Sequence, residues 1–255
     1  MKRIRVIPVL LLQKGGLVKS VRFKDHKYVG DPINAVKIFN EKEVDEIVVL
    51  DISATAEKRP PNISQVRDIA SEAFMPLAFG GGITNIDEIK SLITCGVEKV
   101  VLNTSAYKNP TLIGEAAKWV GSQSVVVSID VKKNMWGKYK VYIQNGSKAI
   151  DTDLITYAKQ MESAGAGEIF LNSIDRDGTF EGYDEELIQQ VAHAVQIPVV
   201  AIGGAGGVDD FTKAVNKGAS AVAAGSIFVF QRPHRAVLIS YPSQEVLKEK
   251  IFTKI

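Results

Sequence analysis

Cysteine is almost absent from this 255-residue chain, Cys95 being the only one. An intrachain disulfide and a cysteine metal cluster are therefore excluded. Histidine is scarce as well: His26, His193 and His234 are scattered, without metal-ligand spacing, so neither a metal nor another cofactor is expected. No G-x-S-x-G elbow is present. Charge of one sign is also missing. Lys and Arg number 31 against 29 Asp and Glu, a net +2 that is too small for the basic footprint of a nucleic-acid binder. No apolar run approaches the ~20 residues that span a bilayer. The run VIPVLLL at 6–12, behind Met1-Lys2-Arg3, is short, lacks a small-residue cleavage site and leads into the turn-like QKGG at 13–16. It reads as a buried first strand rather than a secretory signal, and a cytoplasmic protein is expected.

What is present is a strict alternation. Continuous, β-branched apolar runs stand at 4–11, 46–52, 76–81, 99–103, 124–130, 168–174, 198–204 and 221–226, as expected for strands buried on both faces of a parallel sheet. Between them lie segments of helical spacing, among them 34–44, 64–74, 87–96, 153–165 and 184–195, with glycines at 96 and 165 as stops. Eight strands and helices at this length predict one (β/α)₈ barrel spanning 1–255. YKVYIQNGSK at 139–148, with its NG turn, predicts a small hairpin inserted after strand 5.

The two halves resemble each other at nearly constant spacing. EIVVLDIS (46–53) matches EIFLNSID (168–175), FGGGI (79–83) matches IGGAG (202–206), and VLNTSA (101–106) matches AAGSIF (223–228). SVVVSID (124–130) then falls on RVIPVLL (5–11). The reading is a duplicated half-barrel, about 1–122 and 123–255.

Function in such a barrel belongs to the C-terminal strand ends. Glycine turns there let backbone N–H groups approach an anion. One such turn is weak, because glycine also serves any tight strand-to-helix connection. Gly81 and Gly82 with Asn103-Thr104, repeated as Gly204 with Gly225-Ser226, predict two phosphate sites facing each other. Among the strand-end carboxylates Asp51, Asp130, Asp175 and Asp177, the best acid/base candidate is Asp130, which ends an apolar run in the barrel mouth. Its counterpart in the first half is Leu11. The loop 15–30, with Lys19, Arg22, Lys24 and Lys27, reads equally as a mobile lid over phosphate or as a solvated basic loop. Trp119 and Trp136 read as helix packing and loop cover, and His193 as a helix-surface residue.

Together LDISA, FGGGI, LNTSA, GSQSVVVSID, GAGEI, SIDRDGT with GYD, and GGAG resemble the cyclase subunit of imidazole glycerol phosphate synthase, over nearly the whole chain. The resemblance implies a heterodimer with a glutaminase, whose ammonia crosses the barrel. It implies a bis-phosphorylated ribulosyl aminoimidazole carboxamide as substrate, with imidazole glycerol phosphate and aminoimidazole carboxamide ribotide as products. It assigns acid/base work to Asp130 and to a strand-1 position that is Leu11 here. It gives one phosphate to Gly82, Asn103 and Thr104 and the other to Gly178, Gly204, Gly225 and Ser226, with Asp177 near the glycerol end. An ammonia gate maps onto Arg5, Glu46, Lys99 and Glu168.

Leucine can neither donate nor accept a proton, so the departure at Leu11 leaves three expectations open. One is a working cyclase subunit. Another is a diverged paralogue that channels ammonia to a different acceptor, as in amidino-sugar formation for bacterial surface polysaccharides. A third is a scaffold that only activates a glutaminase. A sugar-phosphate isomerase of half-barrel ancestry would also need a carboxylate at position 11.

Overall fold

A computed structural model describes residues 3–231 and 234–254. Met1 and Lys2, part of the stretch weighed above as a signal, lie outside them. Eight parallel strands follow one another: β1 (Arg5–Gln13), β2 (Ile47–Asp51), β3 (Leu77–Gly80), β4 (Lys99–Leu102), β5 (Val125–Lys133), β6 (Glu168–Ser173), β7 (Val199–Ile202) and β8 (Ala221–Ala224). Each pairs with its successor, and β8 returns to β1 with Arg5 beside Ala221, closing the barrel. Every expected apolar run holds one strand.

The reason lies in the two-residue period of a strand. Ile7, Val9, Val48, Val101, Val126, Phe170 and Val200 turn inward and pack into a dry cluster within the barrel. The alternate residues, such as Leu10, Val49, Val127 and Leu171, turn outward and pack under the helices. Both faces are buried, so both must be apolar.

The helices begin where polar caps allow. Asp31, Asn62, Asn85, Asp153, Asp184 and Ser243 each accept the N–H three residues on, which satisfies an otherwise orphaned donor. Gly165 takes φ +112° as the C-cap of Leu154–Ala164, and Gly96 takes φ +107° just after Ile86–Thr94, so both predicted glycine stops are used.

Hairpins decorate the mouth end. The segment 15–30 is not an open loop: Gly16–Val21 folds back antiparallel on β1, and Lys24–Gly30 pairs with it in turn. Leu17, Val18, Lys19 and Ser20 are buried, whereas Arg22, Lys24 and Lys27 are exposed, so the solvated reading holds for three of the four basic residues and Lys19 alone turns into the protein. After β5 the expected hairpin forms a meander in which Tyr139–Ile143 pairs with the extension of β5 and then with Lys148–Ala149. A third hairpin, Phe230–Gln231 with Ala236–Val237, follows β8. Trp119 and Trp136 are 48% and 79% exposed, so Trp136 covers nothing. Among the described residues no helix is long and apolar enough to cross a membrane.

The inner cluster sets the stability. Phe170→Ala is expected to lower the unfolding free energy by ~3–5 kcal/mol in urea denaturation. Phe74→Ala, at a side chain that is 86% exposed, is expected to change it far less.

Candidate active site

A cavity of about 490 Å³ opens at the C-terminal ends of the strands. Among its lining residues are Leu11, Lys19, Asp130, Asp177 and the glycine turns at 81–82, 178, 203–204 and 225. The structure thus gathers the predicted substrate-binding residues of both halves around one space.

Asp130 ends the inward-facing row of β5 and is 7% exposed. Its carboxylate accepts from Asn103 Nδ2 at 3.1 Å and from Asn172 Nδ2 at 3.4 Å. Burial pushes its carboxyl up to about 7, and the nearby Asp177 adds to the rise, while the two amides oppose it. A carboxyl so placed exchanges protons near neutral pH, which suits acid/base work. Across the mouth there is no partner. Leu11 lies on β1 beside Leu50 of β2, and with Ile202 both pack onto the apolar barrel interior. The strand-1 position facing the mouth is thus hydrocarbon, although polar residues such as Gln13, Lys19 and Arg59 line the cavity around it.

The remaining strand-end carboxylates have structural partners. Asp51 accepts from Ser53 N, Ser53 Oγ and Ala54 N, each at 3.1 Å, and pairs with Arg59 at 2.8 Å. Asp175 accepts from Lys133 N at 2.8 Å. Asp177 accepts from Ser20 Oγ at 3.2 Å, and burial pushes its carboxyl up against the opposing charge of Lys19. Lys19 itself is 4% exposed and donates to the Val9 carbonyl. Burial lowers its ammonium to about 8, with Asp177 acting the other way.

The glycine turns need glycine. Gly81, Gly82, Gly178 and Gly204 all have φ between +70° and +111°, and a Cβ at Gly81 would overlap the Asp51 carbonyl. The short helices after β4 and β8, Thr104–Lys108 and Ser226–Val229, carry no side-chain cap. The Thr104 hydroxyl is engaged, donating to Asn103 Oδ1 at 3.2 Å and accepting from Gln144 N at 3.0 Å. It ties the β5 meander over the cavity, where Asn145 also reaches the Ile52 carbonyl.

At the other end of the barrel, Arg5, Glu46, Lys99 and Glu168 form a closed ring. Arg5 pairs with Glu46 at 2.5 Å and with Glu168, and Lys99 pairs with each glutamate at 2.9 Å. The glutamates are 2% and 3% exposed, so the ring plugs the strand starts.

Two site residues escaped the sequence reading. Asn172 follows Glu168 and Phe170 at the two-residue spacing of β6, a signal that was available. His26 lines the cavity but sits on a hairpin that apolar periodicity did not reveal. His193 and His234 are exposed. Among the described residues no cluster suited to a metal is present.

Fold and cavity together define a (β/α)₈ barrel with its candidate site at the C-terminal face. The chain belongs to the family described as "Histidine biosynthesis protein", which matches residues 5–233. Within it the chain resembles HisF subunits. It is 51% identical over 243 residues (95% of this chain, 97% of the relative) to "Putative imidazole glycerol phosphate synthase subunit hisF2" of Pseudomonas aeruginosa. It is 47% identical over 253 residues (98% and 97%) to the similarly named hisF3 of Vibrio vulnificus. Against "Imidazole glycerol phosphate synthase subunit HisF" of Alkaliphilus metalliredigens it is 43% identical over 225 residues (88% and 89%). The numbered names mark HisF-like paralogues, and the chain is a diverged HisF-like cyclase subunit.

The Asp130 environment has a testable consequence. Its folded value lies above that of an unfolded aspartate, so the native state binds the extra proton. Its contribution therefore favours folding at low pH and is lost as pH rises from about 4 through about 7. Carboxyl ¹³C NMR is expected to show a midpoint near neutrality for Asp130, and Asp130→Asn is expected to flatten this part of the stability profile.

Proposed function

We propose that this barrel receives ammonia from a glutaminase subunit docked over the Arg5–Glu46–Lys99–Glu168 ring and delivers it to a phosphate-bearing acceptor held at the mouth. Its cyclase activity on the bis-phosphorylated ribulosyl aminoimidazole carboxamide is reduced or lost, and the ammonia serves another acceptor, such as an amidino sugar of a surface polysaccharide. The observation that carries this reading is Leu11, which lines the cavity with Leu50 and Ile202 where a second acid/base group is required.

The chemistry follows from the two sides of the mouth. The apolar interior between the ring and Asp130 offers ammonia a path without charge. At the mouth, ammonia adds through its lone pair to an electrophilic carbon of the acceptor, and Asp130 takes the proton released. Asp130 can return that proton to a departing hydroxyl. Ring closure with cleavage, which the family divides between two aspartates, has one here. Glycine turns in each half-barrel (about 1–122 and 123–255) support two phosphate sites: Gly81, Gly82, Asn103 and Thr104 for one, and Gly178, Gly204, Gly225 and Ser226 for the other. The retained Asp130 favours a second reading, a slow but genuine cyclase that forms imidazole glycerol phosphate.

An assay with ammonium salt and the bis-phosphorylated substrate separates the two. Wild type is expected to turn over ~10²–10⁴-fold more slowly than a HisF with both aspartates, the usual worth of one acid/base group. Leu11→Asp is expected to recover part of that loss, and Asp130→Asn to abolish what remains. Wild-type turnover at the level of such a HisF would overturn the divergence. Lys99→Ala, which leaves Glu46 and Glu168 with a single cation between them, is expected to weaken glutamine-dependent activity more than ammonium-dependent activity.

A further inference from the structure

Three cations crowd the β6–β8 side of the mouth without an ion-pair partner among the described residues. Lys19 gives its ammonium to the Val9 carbonyl, Arg22 Nε donates to the Asp175 carbonyl at 3.0 Å, and Arg235 Nη2 donates to the Gly178 carbonyl at 2.7 Å. The cations of the ring at the other end are all paired. Asp177 offsets the charge of Lys19 from nearby without a direct ion pair, whereas Arg22 and Arg235 are held by backbone carbonyls.

Arg235 is delivered by the hairpin after β8. Its guanidinium lies 5.3 Å from the Phe180 ring and 5.4 Å from the Phe230 ring, and its Nε is buried with no hydrogen-bond partner. Stacking on aromatic faces suits a guanidinium and keeps water from it. Gly178, which Arg235 holds, has φ +70°, and a Cβ there would overlap the Ser20 carbonyl. The preceding peptide is held as well, since the Asp177 carbonyl accepts from Arg22 N at 2.9 Å. In a trans peptide the N–H points opposite to the C=O. The Gly178 N–H therefore faces away from Arg22, and it has no acceptor among the described residues. Gly178 lines the cavity, whereas Arg235 stands behind it.

We propose that Arg235 is a positioning residue for a phosphate monoester bound at the β6–β8 turns. It fixes the Gly178 turn from behind, so that the free N–H stays available to the anion, and it places at the anion's back a positive charge that has no direct ion pair among the described residues. The proposal rests on the reading that phosphate binds at Gly178, Gly204 and Gly225.

Titration of the ¹⁵N-labelled full chain with inorganic phosphate tests it, with the other phosphate turn as internal reference. In the wild type the amide signals of Gly178 and Gly204, and those of Gly82 and Asn103, are expected to shift. Arg235→Ala is expected to weaken binding at Gly178 by ~10-fold or more, the scale of a lost hydrogen bond to a charged group, and to leave the Gly82 response unchanged. Arg235→Lys, keeping charge and a donor, is expected to recover most of the affinity. Unchanged phosphate affinity at Gly178 in Arg235→Ala would overturn the positioning role. A wild type that shifts at neither turn would overturn the phosphate reading itself. If Arg235→Ala disturbs folding, Arg235→Gln decides: wild-type affinity without the charge counts against the proposal, and weakened affinity supports it.

Discussion

Closure of the eight parallel strands is the constraint on which the rest of this structure depends. Once β8 pairs with β1, every strand shows alternate residues to the interior, and neighbouring strands in register stack them in layers. Arg5, Glu46, Lys99 and Glu168 occupy the first layer, at the strand starts. Ile7, Val48, Val126 and Phe170 belong to the dry middle. Leu11, Leu50, Asp130, Asn172 and Ile202 reach the mouth. A charged ring, an apolar interior and a cavity-lining mouth are successive positions along the same strands.

The layers also set the electrostatics. Two buried glutamates are tolerable in the first layer because Arg5 and Lys99 alternate with them, and each glutamate meets both cations. Removing one partner would leave a desolvated charge, which is far costlier than the intact pairing is favourable. At the mouth the same desolvation acts on Asp130 with no cation against it, and only two amides to offset it. Burial at the end of the apolar interior is also what pushes this carboxyl up to about 7.

The mouth is asymmetric where the glycine turns are not. Glycines with left-handed φ occur in both halves, but Asp130 faces a leucine. The hairpins differ too. The one after β1 brings the buried Lys19 to the cavity, and the meander after β5 crosses over through Gln144 and Asn145. The hairpin after β8 grips the Gly178 turn.

Much of this was legible in the sequence. Apolar runs buried on both faces determined the strands and their number, and helix caps and glycine stops marked the helices. Repeated glycine turns located the phosphate candidates, and the offset between the halves exposed Leu11 opposite Asp130. These are local or periodic signals, and they survive in one dimension. The hairpin at 16–30 was not foreseen because basic residues interrupt its apolar pattern, and its pairing becomes apparent only against β1. The lowered ammonium of Lys19, the anchoring of Thr104 to the β5 meander and the stacking of Arg235 between Phe180 and Phe230 were decided by the tertiary structure alone. Each joins segments distant in the chain, and burial and hydrogen bonding depend on what the fold brings alongside.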